Sequence, residues 1–222
     1  ADTIATTKGP PPTMFDANQL IIFISVVALL LIVPGPAVIL TLARSISGGA
    51  RAGVATGAGI AIGDMLHTLA AVIGLSAVLM TSSLAYEVVR YLGAAYLIYL
   101  GIVALLERTQ DLDVPSIPPI APVRAFRQAV IIEILNPKTA LFFLAFLPQF
   151  TDPTRGAIWL QLLILGTIFV VMSFAFTSLL ALCAARISKW IGRHSSIGRW
   201  QGKFIGGIYI ALGLQLAFQE RR

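Results

Sequence analysis

Three formal charges lie inside long apolar runs of this chain, and they mark where chemistry is to be sought. Asp64 falls within residues 52–85, which hold no other formal charge; His67 follows one helical turn later. Glu133 and Lys138 flank Asn136-Pro137 inside the otherwise apolar stretch 129–151. A carboxylate in hydrocarbon costs about 3 kcal/mol even on lenient scales. Such a group can bind an ammonium, carry a proton, or pair with a buried cation. Asp64-x-x-His67 could offer two metal ligands from one face, but a stable site wants three or four. A hydrogen-bonded histidine that packs helices, or a proton relay, accounts for His67 better. The prolines add a second kind of chemistry. Pro34-Gly35-Pro36 interrupts one apolar run and Asn136-Pro137-Lys138 another. Proline removes a backbone donor and clashes with the preceding turn. Each break therefore opens a half-helix whose free N–H groups attract an anion such as a carboxylate. Lys138, in the first turn after its break, would reinforce such a site. The plainer readings are a packed proline kink and an internal Glu133–Lys138 or Asp64–Lys138 ion pair.

These residues need a frame, and composition supplies it. Of 222 residues 57% are hydrophobic and only 12% charged, with a mean hydropathy of +0.87. A disordered chain needs the opposite balance, and an ordinary soluble domain carries about twice the charge. The single cysteine, Cys183, excludes a disulfide framework, a cysteine-rich zinc site and a C-x-x-C centre. A pI near 9.9 could suggest nucleic acid, but no window is both basic and soluble-looking. The basic stretch 186–203, with Trp190 and Trp200, reads as an interfacial belt against anionic lipid. No P-loop, G-x-S-x-G elbow, H-E-x-x-H or dinucleotide fingerprint is present.

The expected class is therefore an all-α integral membrane protein with six transmembrane helices, in the apolar runs 20–43, 52–85, 91–106, 129–151, 156–185 and 204–219. The alternation of a membrane barrel is absent. Residues 1–17 form an N-terminal tail, and Met14 looks like a natural start. The first run lacks the basic n-region and cleavage site of a signal peptide. Residues 18–106 make a first group of three helices, and the proline-rich linker 107–124 leads to a second, 125–222. Each group opens with a proline-broken helix. In each, an arginine and small residues (Arg51-Ala52-Gly53, Arg155-Gly156-Ala157) precede a long apolar helix. Three spans being odd, the second copy enters from the other side; an inverted repeat with matching breaks points to a transport site at mid-membrane. Basic residues collect after helices 1, 3 and 5, which puts those loops and the linker in the cytoplasm and both termini outside. The glycine ladders Gly49/Gly53/Gly57 and Gly198/Gly202/Gly206 suit close helix packing, within the chain or in a homo-oligomer.

Two segments resemble the lysine exporter/RhtB family. The first is Val33-Pro34-Gly35-Pro36, followed by Leu42-Ala43-Arg44-Ser45 and the run from Gly53 to Asp64. The second runs from Phe126-Arg127-Gln128 through Asn136-Pro137-Lys138 to Phe146-Leu147-Pro148-Gln149-Phe150. The resemblance covers residues 14–218. It implies a bacterial inner-membrane exporter of amino acids or their derivatives, driven by the proton gradient, with no cofactor. The expected substrate-binding residues are Pro34, Gly35, Pro36, Ala37, Asp64, Asn136, Pro137 and Lys138; Asp64, His67 and Glu133 are expected to handle the proton. Ala37 stands where many members carry a polar residue, and Glu133 where an asparagine is expected; both bear on which substrate is taken. The alternatives are a heavy-metal cation exporter of a related branch and, from another class, an intramembrane enzyme using Asp64 and His67 as acid and base.

Overall fold

The computed structural model describes residues 14–81, 83–106 and 115–191, with scattered positions from 206 to 218. The tail 1–13, the linker's start (107–114), and the sixth apolar run with its preceding basic stretch lie wholly or largely outside the described residues. All regular structure among the described residues is helical.

Helix α1 (Ala17–Ile32) starts at a capping box in which Asp16 and Gln19 satisfy each other's end of the first turn. At 16 residues it is about 24 Å long, too short for a hydrocarbon core of about 30 Å. It stops where Pro34 and Pro36 can no longer donate, and α2 (Pro36–Thr81) resumes with Pro36 in its first turn. α2 is itself two helices, α2a (36–48) and α2b (50–81), separated by Gly49 at φ 77°, ψ 177°. α3 (Ser83–Leu106) follows. In the second half, α4 (Pro122–Ile134) ends at Leu135, and the short α5 (Pro137–Leu141) begins after Asn136. α5 runs into a π-helical turn, Phe142–Phe146, then a 3-10 turn, Leu147–Phe150. After another 3-10 turn, Pro153–Arg155, Gly156 at φ 136° leads to α6 (Ile158–Ile191). The order of parts is thus the same in both halves: short helix, break, short helix, positive-φ glycine, long helix.

By length and apolarity two helical stretches can cross a membrane, Pro36–Ser76 and Ile158–Ala184; a third is the pair Pro122–Ile134 and Pro137–Phe150, bent by 47°. Ala17–Ile32 and Tyr91–Val103 are shorter apolar helices. Many large apolar side chains face outward, among them Ile21, Ile73, Leu92, Val171 and Leu182, as expected of a surface that meets lipid.

The centre is α2b packed between α6 and α4, and glycine sets both spacings. A Cβ on Gly53 would overlap Ser45 and Ala181, and one on Gly57 would crowd Thr177; both rungs of that ladder are spent inside the chain, Gly57 against α6. Gly59 and Gly63 lie as closely against Phe126, Ala129 and Glu133 of α4. Gly166 of α6 returns the contact at Thr68.

The two ends of the bundle are fastened differently. At one, Arg44 donates to Gln128 Oε1 and to the Pro118 carbonyl (2.9 Å), tying α2a to α4 and the linker. At the other, Arg155 bridges Asp16 (2.8 Å) and Asp152 (3.2 Å). The Arg155 guanidinium holds the Asp16 carboxyl below its usual range, and hydrogen bonds from Thr154 do the same for Asp152. Beneath that end lies an aromatic layer of Phe23, Phe142, Phe143, Phe146, Phe150 and Phe169, with neighbouring rings 5.0–5.8 Å apart.

Gly49 offers a clean test of backbone strain. Its φ/ψ pair belongs to a region that only glycine occupies freely, where other residues cost roughly 1–3 kcal/mol. Nothing lies within 4 Å of a Cβ placed there. Gly49→Ala is therefore expected to lower the melting temperature in detergent by several degrees through the backbone alone, while Gly74→Ala, equally open but helical, leaves it unchanged or raises it.

Candidate functional site

Both breaks arrive at one place. Between α1, α2, α4, α5 and α6 lies a small cavity whose polar lining comes from Asp64, Glu133, Asn136, Lys138, Thr139, Ser173 and Thr177. Gly35, Ala37 and Val38 line it from the first break, and Leu30, Leu31, Ile60, Phe169 and Phe176 supply its apolar wall. Of the residues singled out by sequence, the cavity gathers Gly35, Ala37, Asp64, Glu133, Asn136 and Lys138. Pro34, Pro36 and Pro137 shape the backbone without lining it.

Asp64 is 1% exposed, on the face of α2b that meets α6. Its carboxyl is within hydrogen-bonding reach of Ser173 and of the Glu133 carboxyl, and its Oδ2 has no partner. An acceptor buried without a donor costs about 1–3 kcal/mol, so this oxygen is an open acceptor on a residue that lines the cavity.

Glu133, also 1% exposed, is held rather than free. Asn136 Nδ2 donates to Oε1 (3.1 Å) and Oε2 (3.3 Å). The Asn136 Oδ1 meanwhile accepts from the Lys138 N–H (3.1 Å), capping α5. One side chain thus closes the second helix start and fixes a carboxylate. The first start has no such side-chain cap, because Gly35 precedes Pro36, and Ala37 and Val38 of its first turn line the cavity. The two breaks, alike in sequence, differ in chemistry.

Lys138 does not turn back on its own helix. Its Nζ donates to the carbonyls of Leu30 (2.8 Å) and Val33 (3.0 Å), in and just beyond the last turn of α1. Leu30 would have been served by the N–H of residue 34, which proline lacks. Neither the Glu133–Lys138 nor the Asp64–Lys138 pair comes within the 4 Å of a salt bridge; those formed among the described residues involve Arg155. The cavity therefore has two buried carboxyl groups against one ammonium.

His67 is not a lining residue. Its Nε2 lies 2.9 Å from the Glu133 carbonyl, and its ring stacks on Phe143 at 6.0 Å. A carbonyl only accepts, so Nε2 carries the proton of this bond. The ring braces the end of α4 behind the Glu133 side chain.

Sequence reading passed over α6 because its run carries no charge, yet Phe169, Ser173 and Thr177 form one wall of the cavity. The available signal was their spacing: four residues apart, they share a face, and Ser173 and Thr177 are polar in a helix that otherwise suits lipid.

An apolar helix bundle that keeps a cavity lined by charged residues between broken helices has the build of a membrane transporter rather than an enzyme. The chain belongs to the LysE type translocators, whose family model matches residues 28–220. It is 30% identical over 189 residues to a leucine efflux protein of Salmonella typhimurium, covering 85% of this chain and 89% of that one. It is 32% identical over 188 residues to a membrane protein of Vibrio cholerae, covering 83% and 89%. No solved structure matches. The protein is thus a multi-pass membrane transporter.

Proposed function

We propose that this chain is a secondary active exporter of amino acids with apolar side chains, working in the bacterial inner membrane by proton antiport and alternating access. Six helices in two inverted groups of three carry it, with both termini outside and the linker in the cytoplasm. One observation carries the reading: an unpartnered carboxylate oxygen of Asp64 shares a cavity with an uncapped helix start at Gly35. A free amino acid has both complements. Its carboxylate suits the N–H groups of Ala37 and Val38, its ammonium suits Asp64, and Leu31, Ile60, Phe169 and Phe176 suit a branched apolar side chain. The Salmonella relative, a leucine efflux protein, supports leucine as the first substrate to try. The repeated order of breaks and positive-φ glycines, Gly49 and Gly156, supports the two-fold plan. Having one ammonium for two carboxylates supports a proton as the exchanged ion, since a proton or a substrate ammonium would each balance the site.

The test is counterflow of labelled L-leucine and a panel of other amino acids in proteoliposomes, with and without an imposed pH gradient. Saturable exchange that the gradient accelerates is the expected result; exchange of no amino acid overturns the reading. The carboxylate end has its own test. A Cβ on Gly35 meets only Lys138, at an ordinary 3.5 Å, so Gly35→Ser fits. Its hydroxyl would cap α2a, worth about 1 kcal/mol, and compete with the substrate. Expected are a higher melting temperature together with a KM raised roughly fivefold to tenfold, the energy of that one cap.

A further inference from the structure

Lys138 lines the cavity, yet two of its three N–H donors are spent on Leu30 and Val33, which belong to the other half of the chain. Those carbonyls have few alternatives. Pro34 cannot serve Leu30, and non-helical backbone at membrane depth needs partners within the protein. The lysine is thus the cap of α1's inner end. It is also beside the proposed carboxylate position, because its Nζ is 3.5 Å from where a Gly35 Cβ would stand. It also borders a second, small apolar pocket among Leu30, Tyr96, Leu141, Phe142, Ala145 and Phe146. The ammonium therefore stands between the α1 carbonyls it serves and the proposed carboxylate position.

We infer that Lys138 is a positioning residue that hands its hydrogen bonds from the α1 carbonyls to the substrate carboxylate, so that loading the cavity releases the inner end of α1. This rests on the exporter reading above. Empty, the site holds α1 to α5 through the ammonium, and α1 keeps its last turn. Filled, the ammonium follows the stronger acceptor: its bonds to the carbonyls are charge-assisted from the donor side alone, whereas a carboxylate adds the attraction of a full opposite charge in a low-dielectric site. The last turn of α1 then loses its cap, and the half-helix can pivot on Pro34-Gly35-Pro36. A lysine that only bound substrate would leave α1 indifferent to occupancy; one that only capped α1 would leave it indifferent to substrate.

The experiment is amide hydrogen exchange over residues 29–33 of the full chain in detergent, with and without saturating L-leucine; a thermal shift independently reports whether leucine binds. In the wild type, leucine is expected to speed exchange there about tenfold. Lys138→Met is expected to show that speed already without leucine, with nothing further on adding it. Lys138→Arg, which keeps the donors, should behave like the wild type. If leucine raises the melting temperature while exchange over 29–33 stays fixed or slows, the handover is overturned and the exporter reading stands. If neither leucine nor any panel amino acid shifts the melting temperature, the exporter reading has failed and the handover falls with it. The wild-type comparison needs no variant, so poor folding of Lys138→Met leaves the question decidable.

Discussion

Asp64→Asn is expected to cut leucine counterflow at least about 100-fold and to abolish its response to a pH gradient. The substitution keeps the shape of the side chain and the contact with Ser173, but removes the charge that would meet an ammonium and the group that would take a proton. Hydrogen bonds to charged groups are worth about 1.5–3 kcal/mol, which is a factor of roughly 10 to 150. Loss of the exchanging proton adds to that. Stability should move the other way. Asp64 is 1% exposed with an unpartnered oxygen, and a neutral amide there removes the cost of burying a charge, so the melting temperature should hold or rise. A protein at least as stable but unable to transport is the signature of a site rather than a scaffold. Unchanged rate and unchanged pH response in Asp64→Asn would end the coupling scheme.

The second large effect concerns folding. Gly59→Val is expected to leave little monodisperse protein, because its Cβ would run into the Phe126 carbonyl and Ala129 on α4. Backbone cannot retreat as a flexible side chain can, so α4 must move off α2b. Overpacking in a tight core costs about 1–3 kcal/mol and occasionally more; here the displaced helix also carries Glu133. Gly74→Val, on the same helix with nothing within 4 Å, is the matched control and should extract and melt as the wild type does. Valine at both sites equalises helix propensity, so a difference between them reports the interface. Equal behaviour of the two variants would show that the α2b–α4 contact is looser than described.

What could be read from residues alone follows from how local each cause is. Two prolines around Gly35 break a helix whatever surrounds it, so the first interruption was legible, as was the second at Asn136-Pro137. A break between the runs ending at 43 and starting at 52 was expected, but not the residue that makes it, because a glycine among Gly48, Gly53 and Gly57 looks like another packing residue; only its φ distinguishes Gly49. The rarity of charge singled out Asp64, Glu133 and Lys138 before their neighbours were known. Their partners were hidden because they come from distant parts of the chain. Ser173 lies 109 positions beyond Asp64, and Lys138 reaches 108 positions back to Leu30. The sequence placed Lys138 at its own helix start; it does not show that the ammonium reaches across to α1 or that the Asn136 side chain occupies the start of α5. The different fittings of the two breaks were equally illegible, since a glycine and an asparagine before a proline both announce only a turn.

The crossing of donors between halves has a consequence for how the protein is made. Leu30 and Val33 belong to the half synthesised first, and the ammonium that satisfies them arrives more than a hundred residues later; His67, made early, waits in turn for the carbonyl of Glu133. Neither the part before the linker nor the part after it can satisfy these groups in the bilayer by itself. The site is therefore assembled last, when both halves are present, and a chain halted at the linker would leave bare carbonyls and a lone carboxylate in oil.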